Sequence, residues 1–150
     1  FVVVVHRDGW FESLDVWGDH VTALYNHFSR LPDTGMDFNR AFLFGVSAET
    51  SPLGRFAVEH PEQWKGLLLL SPSSLPPLEQ FPVTRPAPKI LISYGNLEKM
   101  YDQIVGYQEN AIKRGMAVQW VEHPSTKHLL VSKQAMIERI EAILRFVWDE

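Results

Sequence analysis

Ala41-Phe42-Leu43-Phe44-Gly45-Val46-Ser47-Ala48 decides how the rest of this 150-residue chain is read. An apolar run of strand length is followed at once by Gly-x-Ser, a turn signal. Just beyond it, Ser51-Pro52 is expected to open a helix that runs to about Glu59. Working outward, the same alternation recurs. Phe1-Val2-Val3-Val4-Val5 is apolar on both faces, as a strand covered on two sides should be. His6 to Ser13 carries Asp8-Gly9 and reads as a loop. Leu14 to Leu31 spaces Leu14, Trp17, Val21, Leu24, Tyr25 and Phe28 by threes and fours, which predicts an amphipathic helix ended by Pro32-Asp33-Thr34-Gly35.

Downstream, Gly66-Leu67-Leu68-Leu69-Leu70 is a third strand closed by Ser71-Pro72. Residues 72–88 hold six prolines and read as loop. Lys89 to Tyr94 is a fourth strand ended by Gly95. Glu98 to Lys113 reads as helix with Gly115 as its stop. Ala117 to Glu122 is a fifth strand. Ser132 to Val147 gathers Ile137, Ile140, Ile143, Leu144 and Val147 on one face and reads as the closing helix.

Strands alternating with helices imply right-handed crossovers, so the expected architecture is α/β. It is a mostly parallel sheet of five or more strands with helices on both faces, in one domain over residues 1–150. The loop between the third and fourth strands leaves no room for a large lid. Ligands of such sheets bind beyond the carboxyl ends of the strands. Attention therefore falls on residues 6–9, 45–49, 71–74, 95–98 and 123–128.

Composition bounds the function. Hydrophobic residues make up 45% and charged residues 21%, ordinary values for a folded globular chain. A formal net charge of −4 gives no electrostatic footprint for nucleic acid. There is no cysteine, hence no disulfide framework and no thiolate metal site, which fits a cytoplasmic setting. The histidines show no metal-ligand spacing, and no metal or cofactor is expected. No apolar run approaches the roughly 18 residues of a membrane span. A nucleotide-binding domain is disfavoured, because neither Gly-x-Gly-x-x-Gly nor a Walker-type lysine follows the first strand.

Gly-x-Ser-x-Gly between a strand and a helix is a nucleophile elbow. The sharp turn exposes the serine hydroxyl at the sheet edge. The backbone N–H of the next residue, here Ala48, then faces the site where an oxyanion would form. Only part of the motif is present, since Glu49 replaces the second glycine. Asp37-Phe38-Asn39-Arg40 and the elbow that follows resemble the α/β-hydrolase superfamily, closest to putative esterases and prolyl-oligopeptidase-like groups. Phe56 to Ser73 is similar to the next helix and strand of that family, and the resemblance extends from about residue 37 to the end.

The resemblance implies a serine hydrolase acting on a small-molecule ester or related acyl bond. Its order of nucleophile, acid and histidine falls on Ser47, on Glu98 in Gly95-Asn96-Leu97-Glu98, and on His128 in Ser125-Thr126-Lys127-His128. Asp102 and His123 are the runners-up. Ser47 would attack, His128 would take its proton, and Glu98 would hold the imidazole tautomer. His6-Arg7-Asp8-Gly9-Trp10 resembles an oxyanion loop, with the Arg7 N–H as second donor beside Ala48, and reads equally as the loop of a neighbouring strand with no such role. Each residue also has an ordinary reading: a turn serine, a carboxylate at a helix N-terminus, a loop histidine.

Three departures from the family pattern support a competing, non-catalytic domain kept for binding or assembly. Glu49 is bulky and negative where a small residue is usual. Pro52 lacks an N–H and should sit first in its helix, with Ser51 as cap, leaving the helix badly aimed. Only one strand precedes the elbow strand, so the first strands of the family are missing and the chain reads as a reduced or cut-down version. A shortened sheet exposes an edge, and a homodimer through that edge is the expectation.

Overall fold

The structure is a computed structural model that describes residues 14–31, 37, 41–81, 89–128 and 132–148. The expected first strand and loop, Phe1 to Ser13 with Arg7, and the helix stop at residues 32–35 lie outside the described residues. Helices α1 (Leu14–Ser29), α2 (Thr50–Glu59), α3 (Tyr101–Lys113) and α4 (Lys133–Trp148) alternate with strands β1 (Phe42–Val46), β2 (Gly66–Leu70), β3 (Lys89–Gly95) and β4 (Val118–His123). The strands form one parallel sheet in the order β1-β2-β3-β4, with Phe42 opposite Gly66, Gly66 opposite Lys89, and Ile90 opposite Val118. Four of the five expected strands are thus in place, each within a residue or two of its expected limits.

The all-leucine β2 explains the layering. Successive side chains of a strand point to opposite faces. Leu67 and Leu69 join Val21, Leu53, Phe56, Ala57 and Ile104 under α1, α2 and α3. Leu68 and Leu70 join Ala142 and Phe146 under α4. Every residue of β2 is buried, so the sheet is covered on both faces as the composition predicted.

The closing helix is where the expectation needs correcting. Its extent is right, but Ile137, Ile140 and Leu144 are exposed, together with Met136 and Trp148. The face against the sheet is Ala135, Arg139, Ala142 and Phe146, with Ile143 and Val147 packed at its margin. Small residues allow a helix to approach a sheet closely, so the docking face is not the most apolar one. Hydrophobic periodicity reports that a helix has faces; it does not say which one meets the sheet.

Because all strands run the same way, Ser47, Ser71, Asn96 and Pro124 begin four loops at one end of the sheet. The β2–β3 connection carries, among its described residues, only the three-residue turn Leu78–Gln80.

Candidate active site

Ser47 follows β1 directly with φ of 55°, in the left-handed region that costs a non-glycine residue about 1–3 kcal/mol. The surroundings hold it there. Its carbonyl accepts the Thr50 hydroxyl at 2.6 Å and, from the β2–β3 loop, the Ser73 hydroxyl at 3.0 Å and the Ser73 N–H at 3.2 Å. The Ser73 N–H is shared with Thr50 Oγ1 at 3.2 Å. Ser73 lies within the 71–74 strand end marked in the sequence, as a turn residue that could also line the pocket, whereas nothing there points to Thr50.

Two of the departures from the motif, Glu49 and Pro52, have a plain backbone geometry. The tight approach lies between Gly45 and the backbone of Glu49. A Cβ on Gly45 would stand 3.3 Å from the Glu49 carbonyl oxygen and 3.4 Å from Leu53 Cδ2. Glu49 itself has φ of −67° and ψ of −16°, open to any L residue, so no glycine is required at that position. Pro52 is not the first helical residue, and Ser51 is not the cap. A three-ten turn over Ser47–Glu49 leads straight into α2 at Thr50, with Glu49 at the N-cap. Pro52 falls in the first helical turn, where N–H groups have no intrahelical acceptor, so its missing donor costs nothing. The turn that begins at Ser47 therefore runs directly into α2.

Glu98 lies three residues before α3, in a turn rather than in the helix, which corrects the reading of it as a helical N-terminal carboxylate. Its side chain is almost sealed from solvent. Oε1 accepts the Gly95 N–H at 2.8 Å. The β4–α4 loop closes on it: Leu97 N–H donates to the Thr126 carbonyl at 3.0 Å, and Ser125 N–H to Asn96 Oδ1 at 2.8 Å. Gly95 is pressed against Thr126 so closely that a Cβ there would collide with its carbonyl.

This clamp delivers His128. Its Nδ1 is 3.0 Å from Glu98 Oε2 and its Nε2 is 2.8 Å from Ser47 Oγ. Three residues from three loops, up to 81 positions apart, form one hydrogen-bonded line. With the proton on Nδ1, the imidazole donates to the carboxylate and accepts from the serine, the arrangement that a general base for an alcohol needs. The runners-up are elsewhere. Asp102 is exposed in the first turn of α3. His123 is fully buried and bonded to Ser93 Oγ at 2.9 Å through Nε2. Its proton affinity is lowered, first by burial and then by the Arg139 charge.

Beside Ser73, an open cleft of about 460 Å³ runs between the β2–β3 loop and α3, lined by Ser73, Ser74, Leu75, Met100, Gln103 and Tyr107, among others. Among the described residues, no group of three or more His, Asp and Glu is placed to hold a metal ion, and no helix is long and apolar enough to cross a membrane.

No protein-family model matches the chain, and no curated protein sequence does so either. Solved structures do match. The Francisella virulence factor BioJ is 14% identical over 95% of this chain and 62% of its own, with a TM-score of 0.72. The Porphyromonas gingivalis dipeptidyl peptidase 4 is 12% identical over 89% of this chain and 22% of its own, with a TM-score of 0.69. A bacterial heroin esterase is 13% identical over 89% of this chain and 58% of its own, with a TM-score of 0.68. The chain thus spans less than two thirds of each of these proteins.

Proposed function

We propose that this chain, which has the fold of the α/β-hydrolase superfamily, is a serine hydrolase that cleaves small-molecule esters or related acyl bonds. The observation that carries the reading is the continuous line from Ser47 Oγ through His128 to the buried Glu98. In this mechanism His128 Nε2 takes the hydroxyl proton as Ser47 Oγ attacks the acyl carbon, and the imidazolium then returns that proton to the leaving alcohol. Glu98 keeps the Nδ1–H tautomer and balances the imidazolium charge. The Ala48 N–H, at the start of the helical spiral, stabilises the oxyanion. Arg7, outside the described residues, is the second donor in this reading. Water repeats the sequence on the acyl-enzyme.

The half-exposed His128 side chain and the open cleft beside Ser73 favour small or flexible substrates without a covering lid. That a structurally similar protein is named an esterase agrees with the ester class. Pairing of two copies through an open sheet edge belongs to the same proposal. Light scattering that finds only monomer at every concentration removes that part.

The test is labelling with a fluorophosphonate probe, comparing the natural chain with Ser47→Ala. Labelling lost in the variant identifies an activated Ser47, with short-chain ester hydrolysis to follow. A well-folded natural chain that takes up no probe overturns the hydrolase reading in favour of a non-catalytic binding domain.

A further inference from the structure

Behind the Ser47–His128–Glu98 line lies a second polar cluster, wholly internal. Arg139 of α4 donates through Nε to Ser93 Oγ at 2.7 Å and reaches Ser71 Oγ through Nη2 at 3.4 Å. Ser93 Oγ also meets His123 Nε2 at 2.9 Å. Ser71, Ser93 and His123 are fully buried and Arg139 is 4% exposed. Among the described residues His123 Nδ1 has no hydrogen-bond partner, and Glu138 Oε2 stands 3.8 Å away. Among the described residues, Arg139 has no carboxylate within ion-pair distance.

A buried guanidinium bonded only to hydroxyls is a poor structural choice. Desolvating it costs several kcal/mol, and an apolar residue of similar volume generally packs as well or better. Burial drives Arg139 toward loss of its proton, and the charge that opposes this is that of Glu98. A guanidinium nevertheless stays protonated in a protein. The ionisable groups that couple to it are Glu98 from the β3–α3 loop and His123 from β4. Burial lowers the proton affinity of His123, and the Glu98 side chain is sealed from solvent.

The contacts of Arg139 are also placed to set the site. Ser71 is two residues before Ser73, which holds the Ser47 carbonyl. Ser93 is two residues before Gly95, whose N–H holds Glu98. His123 ends the strand whose following loop carries His128. One side chain thus bridges the ends of β2 and β3, and Ser93 passes the link on to His123 of β4.

We propose that Arg139 is a positioning residue, a buried staple that ties the ends of β2 and β3 to α4, and β4 through Ser93, and so holds the loops of the Ser47–His128–Glu98 line in place. The proposal rests on the serine-hydrolase reading for its consequence in catalysis. Removing the guanidinium fork loosens the strand ends that lead to Ser73, Glu98 and His128, and Ser47 reactivity falls with them.

The experiment compares the natural chain with Arg139→Met and Arg139→Lys. It follows the fluorophosphonate labelling rate at pH 8 and, independently of activity, the low-field NMR resonance of the His128 Nδ1–H, which reports its bond to Glu98. In Arg139→Met the rate is expected to fall about tenfold or more and the resonance to move or broaden. Arg139→Lys loses the planar fork and cannot bridge both serines, so its rate also falls about tenfold. A folded Arg139→Met that keeps its rate within about twofold and its His128 resonance in place overturns the proposal. Should Arg139→Met not fold, Arg139→Lys decides by the same two readouts. If the natural chain does not label at Ser47, the hydrolase reading fails by itself. The His128 resonance then still supports or overturns the positioning role.

Discussion

Glu98→Gln tests the site at its most constrained point. The replacement keeps the shape of a side chain that is 1% exposed, so nothing else need move. The Gly95 N–H sits 2.8 Å from Oε1 and requires an acceptor there. The glutamine carbonyl must therefore take that position. Reversing the amide would set two donors face to face and leave a buried N–H unpaired, at about 1–3 kcal/mol. The amide NH2 consequently faces His128 Nδ1, at the 3.0 Å contact now made by Oε2. Nδ1 becomes an acceptor, and the neutral ring carries its proton on Nε2, pointed at Ser47 Oγ. The base has become a donor to the nucleophile that it should deprotonate. Adding the lost stabilisation of the imidazolium to the orientation penalty gives about 4–5 kcal/mol, or a rate loss of roughly 10³–10⁴. The assay is the second-order rate of fluorophosphonate labelling at pH 8, with ester turnover beside it and circular dichroism to confirm the fold. A folded Glu98→Gln that keeps more than about a tenth of the natural rate refutes the tautomer argument and, with it, the role given to Glu98.

Gly95→Ala should destabilise by about 3 kcal/mol or more in urea unfolding, because its methyl group collides with backbone at Thr126 rather than with a movable side chain. Ser73→Ala removes one hydroxyl bond to the Ser47 carbonyl. The expected cost is about 1 kcal/mol of stability and a several-fold drop in labelling rate, with labelling still confined to Ser47. For pH, the depressed proton affinity of buried His123 means that the unfolded chain binds a proton which the folded chain refuses. That contribution to stability is complete above the ordinary histidine value of 6.5 and is lost as pH falls through 6.5 toward the folded value. Urea midpoints should therefore decline below pH 6.5, with a shallower decline in His123→Gln.

Much of this was legible because parallel sheets have a simple signature. Leu67 to Leu70 is apolar without interruption because alternate residues face α2 on one side and α4 on the other. Ser47, Glu98 and His128 were legible only through their order and through the strands that each follows, since neither spacing nor composition says that they touch. Residues 71–74 were marked as a strand end, but the bond that Ser73 makes to Ser47 and the place of Arg139 were illegible for a plain reason. Their decisive bonds join positions 26 and 46 residues apart, and a serine or arginine with a long-range partner looks in sequence like any other. Arg139 was further hidden by its helix, in which isoleucines and a leucine drew attention to a face that turned out to be exposed.

The turn at Ser47 departs from the elbow motif in its letters while keeping a close crossing of strand and helix. A glycine two residues after the nucleophile is expected where the crossing strand and helix need room for a Cβ. In this chain the requirement falls on Gly45 alone. Its missing Cβ faces the Glu49 carbonyl at 3.3 Å and the carbonyl carbon at 3.4 Å, both backbone atoms that cannot swing aside. Glu49, in helical φ and ψ and making no side-chain capping bond, contributes its backbone to the turn. The two positions should therefore respond in opposite ways. Gly45→Ala must widen the crossing and disturb the positive φ of Ser47, costing about 1–3 kcal/mol and lowering labelling at least tenfold. Glu49→Ala should leave stability within about 0.5 kcal/mol and labelling within a few-fold, because the atoms it deletes lie outside the crossing. Equal sensitivity at both positions would mean that the Glu49 side chain is itself part of the elbow, and that its departure from the motif matters to the chemistry after all.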